Sequence, residues 1–321
     1  MLVDTMKEAL NGDIEAMFLL GTMYAFGNGV AIDLDDALHW LRKAAKAGHP
    51  TAGLVLQDIG QAANASGGGS RSGAGGCCLS TGDTKTITLP GGAEMEMIYC
   101  APGSFMMGSP EDEEGRYDNE TQHKVTLTRG FWLGKYPVTQ SQWKSVMRGN
   151  PSVLGGDAYP VDSVSWADCK EFIEKINSRS NIAARFPTEA EWEYACRAGS
   201  GEAYSGTGDL DEMGWYDGNS DYGTHPVGEK EPNGWGFYDM HGNVMEWCAD
   251  WYGSYPTKAV TDPEGPASGV VSRVLRGGGW GWDARYCRSA CRISFSSDSG
   301  NHDFGSYDSG FRLCCSAGPH E

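Results

Sequence analysis

No run of about 18 consecutive apolar residues occurs in the chain, so the sequence offers no membrane-spanning helix. Basic residues are scarce: 25 Lys and Arg face 43 Asp and Glu, a net charge of −18. Binding a phosphate backbone needs clustered Lys and Arg, so nucleic acid is excluded as a partner, while solubility and cation binding are favoured. The opening residues Met1 to Glu8 lack the basic start and apolar stretch of a signal peptide. The expectation is therefore a cytoplasmic protein whose ten cysteines are mostly reduced. No Gly-x-Ser-x-Gly elbow or phosphate-cradling loop occurs. His123, His225, His241 and His302 show no metal-ligand spacing.

What is abundant is glycine, with 46 residues, and tryptophan, with 11, which points to a loop-rich fold pinned by large buried rings. The 321 residues suffice for one large domain and a small one. Residues 4–59 read as helical. Ala16, Leu19, Leu20, Met23 and Tyr24 recur at helical steps, Gly27-Asn28-Gly29 breaks the pattern, and Ala37, Leu38, Leu41, Ala44 and Ala45 resume it. Ala9-x-x-Gly12-x-x-x-Ala16 returns as Ala45-x-x-Gly48-x-x-x-Ala52, 36 residues on, a period that marks stacked helical hairpins. With Gly21, Trp40 and the residues above, the segment resembles a Sel1-like repeat. Such a helical pair either packs on its neighbour, binds a protein partner or serves as a spacer. The expected boundaries are a helical repeat over 1–60, a Gly/Ser-rich linker over 61–80 and a larger domain over 81–321. Cys77 and Cys78, with no apolar segment before them, read as ordinary thiols.

Beyond residue 80 the pattern becomes short strands between Gly, Pro, Asn and Asp turns. Thr84–Leu89 and Lys124–Thr128 alternate as half-buried strands. Three helices are predicted. Thr139–Met147 starts with a Thr cap and carries Trp143 and Val146. Ser165–Asn177 has Trp166, Cys169, Phe172, Ile173 and Ile176 on one face. Thr188–Arg197 opens with a capping box from Thr188 to Glu191.

A series of blocks lies in the larger domain, in order: Pro102-Gly103-Ser104-Phe105-Met106-Met107-Gly108-Ser109, Lys135-Tyr136-Pro137-Val138-Thr139, Tyr159-Pro160-Val161-Asp162, Arg185-Phe186-Pro187-Thr188-Glu189-Ala190-Glu191-Trp192, Pro232-Asn233-Gly234-Trp235-Gly236, His241-Gly242-Asn243-Val244-Met245-Glu246-Trp247, Arg276-Gly277-Gly278-Gly279-Trp280 and Gly310-Phe311-Arg312. Together they resemble the formylglycine-generating-enzyme, or sulfatase-modifying-factor, family. The resemblance implies an α+β fold of the C-type-lectin-like kind, with a small twisted sheet, two or three helices and much irregular chain, preceded by the small all-α helical hairpin.

In the oxidases of that family two cysteines after the Gly-Gly turn bind copper(I), a soft ion suited to thiolates. Cys287 matches the second, but Trp282 stands at the place of the first. Cys291 replaces it only if the segment is helical, because four residues of extended chain span about 13 Å. The resemblance implies extended or irregular chain here, so copper is not expected and Cys287 reads as a buried structural thiol; it is catalytic only if the protein is an oxidase. The loop Asp239–Glu246 resembles the family's calcium loop, which implies oxygen ligands from Asp239, Gly242, Val244 and Glu246 and a structural role for the ion. The alternative is that Glu246 hydrogen-bonds the loop without an ion.

The segment Ile293–Ser309 contains no Lys, Glu, Gln, Met or Trp, and all its residues can be written with pyrimidine-ending codons. Adenine-directed mutagenesis of Asn codons leaves that pattern. With its flanking blocks it resembles the variable proteins of diversity-generating retroelements; Trp282 cannot arise in this way, and loop composition alone is the other explanation. Either way Trp282, Asp283, Tyr286, Cys291, Ile293, Phe295, His302, Asp303, Phe304 and Tyr307 are the expected binding residues for a protein or small ligand, rings giving contact area and Ser, Gly and Asp adapting, as in antibody loops. Trp280, beside the glycine turn, is expected in the core. The function expected is a ligand-binding module on a helical repeat that docks a protein partner. The alternatives are a formylglycine-generating or related metal-dependent oxidase, and a scaffold.

Overall fold

The computed structural model describes residues 5, 9, 12–26, 34–53, 55–56, 79–267, 272–296 and 307–317. Most of the expected linker, Cys77, Cys78, His302, Asp303 and Phe304 lie outside these residues. The chain forms two compact units, Met1–Gly75 and Gly76–Glu321. No helix among the described residues is long and apolar enough to cross a membrane.

In the first unit α1 (Ile14–Phe26) packs on α2 (Leu34–Lys46). Ala16, Leu20 and Met23 meet Ala37, Trp40, Leu41 and Ala44 in a buried seam, the stripe that helical spacing requires. A Cβ at Gly21 would lie 2.7 Å from the Leu41 side chain and 3.0 Å from its backbone nitrogen, so the helices approach closely only because that residue is glycine. Leu19 corrects the expected face: it is 49% exposed. One residue before Leu20, it is rotated by about 100° out of the seam.

The second unit begins β1 (Thr84–Thr88), β2 (Glu94–Cys100), β3 (Gly103–Met107), β4 (His123–Leu127) and β5 (Phe131–Gly134). Helices α3 (Gln140–Val146) and α4 (Trp166–Arg179), strand β6 (Ala184–Arg185) and helices α5 (Glu189–Arg197) and α6 (Leu210–Met213) follow. The chain closes with β7 (Met245–Trp251), β8 (Val260–Thr261), β9 (Ser272–Arg276), β10 (Arg292–Ser296), β11 (Ser309–Gly310) and β12 (Cys314–Ser316). Three small sheets result, in the orders β1-β2-β5-β12-β6, β10-β9-β7-β11 and β3-β4-β8. β5 lies between β2 and β12 and is buried along its whole length, which suits its unbroken Phe131-Trp132-Leu133. β4, by contrast, alternates buried and open residues.

Each of the three longer helices of this unit starts with a reciprocal capping box: Thr139 with Gln142, Ser165 with Asp168, and Thr188 with Glu191. The seven-residue α3 is too short to persist alone; it is held because Trp143 stacks on Phe172 at 5.2 Å, with Phe311 edge-on to both.

Beside this apolar core runs a layer of buried ion pairs. Arg276 binds Glu193, and Glu193 also binds Arg197 at 2.8 Å. Arg292 grips both oxygens of Glu189 at 2.7 Å, and Arg288 reaches Glu120 at 2.7 Å and Glu113 at 2.5 Å. These pairs fix both ends of the connection from β9 to its antiparallel neighbour β10, residues 277–291.

Candidate functional site

The β9–β10 connection carries Cys287 and four of the ten expected binding residues, Trp282, Asp283, Tyr286 and Cys291. It starts with three glycines, and packing explains each. A Cβ on Gly277 would lie 3.1 Å from the Trp192 ring, one on Gly278 would lie 2.6 Å from Cys287 Sγ, and one on Gly279 would lie 2.5 Å from Asp308 Oδ2. Gly277 and Gly278 also have φ of 91° and 68°, where side chains are strained. The glycines thus let the connection fold back on itself over Cys287. Residues Ala284–Cys287 form a single 3-10 turn, capped by Asp283, whose Oδ1 accepts from Arg285 N at 3.0 Å. His241 fixes this turn from inside. Its Nδ1 lies 2.7 Å from Cys287 O, and its Nε2 accepts from Ser205 N at 3.0 Å, so the neutral ring donates at Nδ1. Burial lowers its pKa to about 4, which keeps the ring neutral.

Cys287 is fully buried, and its thiol is held well above the ordinary range, first by burial and then by the negative surroundings of Cys291, Asp217, Asp283 and Asp308. A nucleophile or copper ligand needs the opposite bias, toward thiolate. Cys291 ends the connection. It corrects the expected binding face, because it is 2% exposed, with its N–H donating to Arg288 O at 3.1 Å. Its pKa is pushed up to about 12, mainly by burial and then by Glu120. The eight described cysteines are all buried.

Outside the turn a group of rings assembles. Trp282 donates from Nε1 to Asp308 Oδ2 and meets Tyr286 edge-on at 4.8 Å. Tyr286 lies 5.8 Å from Tyr117, and the Arg285 guanidinium sits 5.1 Å from the Tyr286 ring. Asp308 adjoins Tyr307, which is 48% exposed. The structure therefore holds Trp282 on a buried carboxylate and Tyr286 against Trp282, with Asp283 and Tyr307 as their neighbours along the chain. Asp308 itself is buried, and burial raises its pKa to about 6 against the lowering effect of the Trp282 hydrogen bond. Ile293 and Phe295, also expected on the face, are half-buried on β10 and pack against the apolar core. Trp280 departs from the expected core placement: it is half-buried, tied by its backbone to Asn243 O and Ser220 Oγ. Tyr117, Arg285 and Asp308 were not expected; Tyr117 and Asp308 are remote in sequence from Tyr286 and join the site only through the fold.

The loop Asp239–Glu246 lies under the same turn, with Gly242 N donating to Gly277 O at 2.7 Å. Asp239 accepts from Gly228 N at 2.8 Å and from Asn243 Nδ2 at 3.1 Å. Both Glu246 oxygens face protein donors, Arg312 at 2.8 Å and the Trp192 indole at 2.8 Å. Glu246 therefore already has a cation and would give a calcium ion only a shared oxygen; Asp239 and the Gly242 and Val244 carbonyls are the better donors.

Residues 86–317 match the sulfatase-modifying factor enzyme 1-like domain, and residues 14–49 match the Sel1 repeat. The chain belongs to the sulfatase-modifying factor family. It is 32% identical over 209 residues to the chaperone protein LppX of Paenibacillus barcinonensis, covering 49% of this chain and 71% of LppX. It is 34% identical over 195 residues to the formylglycine-generating enzyme of Streptomyces coelicolor, covering 54% of this chain and 59% of the enzyme, so it spans less than two thirds of that relative. Variable protein 1 of Treponema denticola superposes with a TM-score of 0.66 and 32% identity, covering 73% of this chain and 99% of the variable protein. The chain is thus similar both to an enzyme and to a variable protein, and the α+β fold and its likeness to such proteins hold as expected.

Proposed function

We propose that the sulfatase-modifying factor domain is a binding module whose ligand face is the cluster of Trp282, Asp283, Tyr286 and Tyr307. One observation carries the reading. Where the resemblance calls for the first copper thiolate, the Trp282 indole is hydrogen-bonded to buried Asp308, over a Cys287 that burial keeps as a thiol. Rings that expose an edge and a polar tip supply contact area at small entropic cost, so a protein surface or small ligand suits the face. The similarity to Treponema variable protein 1 supports this reading, and the segment Ile293–Ser309 is then the part of the chain whose sequence varies.

The test pairs a catalytic and a binding readout. A cysteine-bearing sulfatase peptide should stay unoxidised, and copper(I) titration should give the same curve for the parent and Cys287→Ser. On a peptide and glycan array, hits of the parent should be lost by Trp282→Ala/Tyr286→Ala. Conversion of the peptide to the aldehyde, with stoichiometric copper lost in Cys287→Ser, would replace the binding reading by the oxidase one.

The Sel1 helices are proposed to dock a protein partner through the exposed apolar Ile14 and Leu19. Loss of a co-purifying protein in Leu19→Asp checks this. Free thiols at Cys100, Cys169, Cys196, Cys248, Cys287, Cys291 and Cys314 support a reducing, cytoplasmic setting. A structural calcium ion on Asp239, Gly242 and Val244 is proposed as well.

A further inference from the structure

A cavity of about 320 Å³, the lower end of the range for small-molecule sites, opens where the end of β7, the first turn of α5 and the start of β10 meet residues 253–256 and 263–266. None of the binding-face residues lines it. Asp250 at its floor is 4% exposed. One Asp250 oxygen accepts from Glu189 N at 2.8 Å; the other makes no hydrogen bond among the described residues. The neighbouring carboxylate differs. Glu189 is held by both nitrogens of Arg292, by Tyr255 Oη at 2.9 Å and by Arg276 at 3.5 Å. Of the two buried acids, therefore, only Asp250 lacks a cation of its own. His123 supplies a second acceptor. Its Nδ1 lies 3.0 Å from Thr121 O and so carries the proton, which leaves Nε2 as the lone-pair nitrogen. The other walls include the Tyr255 ring, tilted against His123 at 4.9 Å with the Glu189-paired Arg292 at 3.8 Å from its centre, then Trp251, Pro263, Pro266 and Glu264.

Acceptors without a matching cation, set among rings and prolines, select a compact cation with a hydrocarbon body. We propose that this cavity binds a small organic ammonium ion, its N–H groups received by Asp250 and His123 and its hydrocarbon part resting on Tyr255, Trp251 and the prolines.

The charged and titratable groups facing Asp250 are Glu189 and Glu191 from α5, Arg292 from β10, His123 from β4, and Tyr255 and Glu264 from the flanking segments. Burial, then Glu189, raises the Asp250 pKa to about 8, against the lowering effect of Arg292. A bound ammonium favours the carboxylate, so binding releases a proton below that pH. Affinity then rises about tenfold per pH unit from 6 to 8 and levels off until the amine itself loses its proton.

The experiment is calorimetric titration of the full chain with 2-phenylethylammonium chloride, and with 2-phenylethanol as the neutral isostere, from pH 6 to 9. Saturable binding of the ammonium, tightening with pH, and no saturation by the alcohol are expected. Asp250→Asn keeps the acceptor for Glu189 N and should weaken binding at least tenfold at pH 8. Should that variant fail to fold, Ser254→Lys, at an exposed lining position, places a competing ammonium at the mouth and should weaken binding to the same extent. Equal binding of the alcohol, a pH-independent affinity, no saturation by the ammonium up to 10 mM, or full affinity in Ser254→Lys overturns the proposal.

Discussion

The β9–β10 connection and its anchors have two sides built on opposite principles. On the inner side Arg276, Arg288 and Arg292 are buried and each meets at least one carboxylate and one carbonyl. On the outer side Trp282, Asp283, Tyr286 and Tyr307 are exposed or half-buried and make few polar side-chain contacts, such as Trp282 to Asp308 and Asp283 to Arg285. A buried guanidinium is costly unless a carboxylate faces it, so the inner side fixes the path of the chain closely. The outer side has little to satisfy, so its residues can change without moving the path. A rigid frame beneath a tolerant surface is what a binding module needs.

The largest expected effect tests that division directly. Arg276→Met takes one of two guanidiniums from buried Glu193, leaving Arg197, and the more distant of two from Glu189, leaving Arg292, and should cost about 3 kcal/mol in chemical denaturation. Tyr307→Ala removes an exposed ring and should change stability by less than about 0.5 kcal/mol. If the two variants unfold at similar denaturant concentrations, the frame and the face are not distinct.

The frame was the part least legible in the sequence. Helix positions and caps could be read locally, since a Thr or Ser before an apolar stripe and an acid three residues on are neighbours along the chain. Gln142 and Asp168 close capping boxes by the same rule, though only Glu191 was picked out. The ion pairs have no such signature. Glu193 and Arg276 are 83 residues apart, and Glu113 and Arg288 are 175 apart. The face was legible as a composition, yet its members sort by burial in ways composition cannot show. Cys291 turns inward because Arg288, three residues earlier, is drawn to Glu120 and carries the chain with it. Trp280 is half-buried like Trp282 rather than in the core, its backbone held by Asn243 and Ser220 while Asp308 holds the Trp282 indole. The family blocks located both regions without ranking their residues.

A smaller effect sharpens the boundary, at Asp308, which belongs to both sides. In the folded chain it keeps its proton up to about pH 6; unfolded, it loses it near 3.8. Between those values the folded state binds more protons, so stability falls as pH rises and the loss is complete above about 6.5. At about 1.4 kcal/mol per unit the loss is about 2–3 kcal/mol. Asp308→Asn keeps an acceptor for Trp282 and removes the titration. Relative to the parent, it should therefore gain stability between pH 4.5 and 7.5 in paired urea titrations. A constant difference between the two proteins would show that Asp308 is solvated and that the face extends beneath Trp282.

The smallest effect concerns calcium, and it separates the frame from a loop that resembles a metal site. Arg312 places a fixed positive charge on Glu246, so a calcium ion would sit beside a guanidinium rather than replace it. Repulsion from that charge and the loss of undivided Glu246 oxygens argue for weak binding, in the millimolar class of calcium sites. For such a dissociation constant, 10 mM calcium stabilises the fold by about 1.4 kcal/mol, a rise of a few degrees in Tm relative to EGTA. Asp239→Ala should abolish the rise. An equal rise with magnesium would mark an unspecific charge effect on an acidic protein, and no rise would mean that Arg312 alone serves as the cation of this loop.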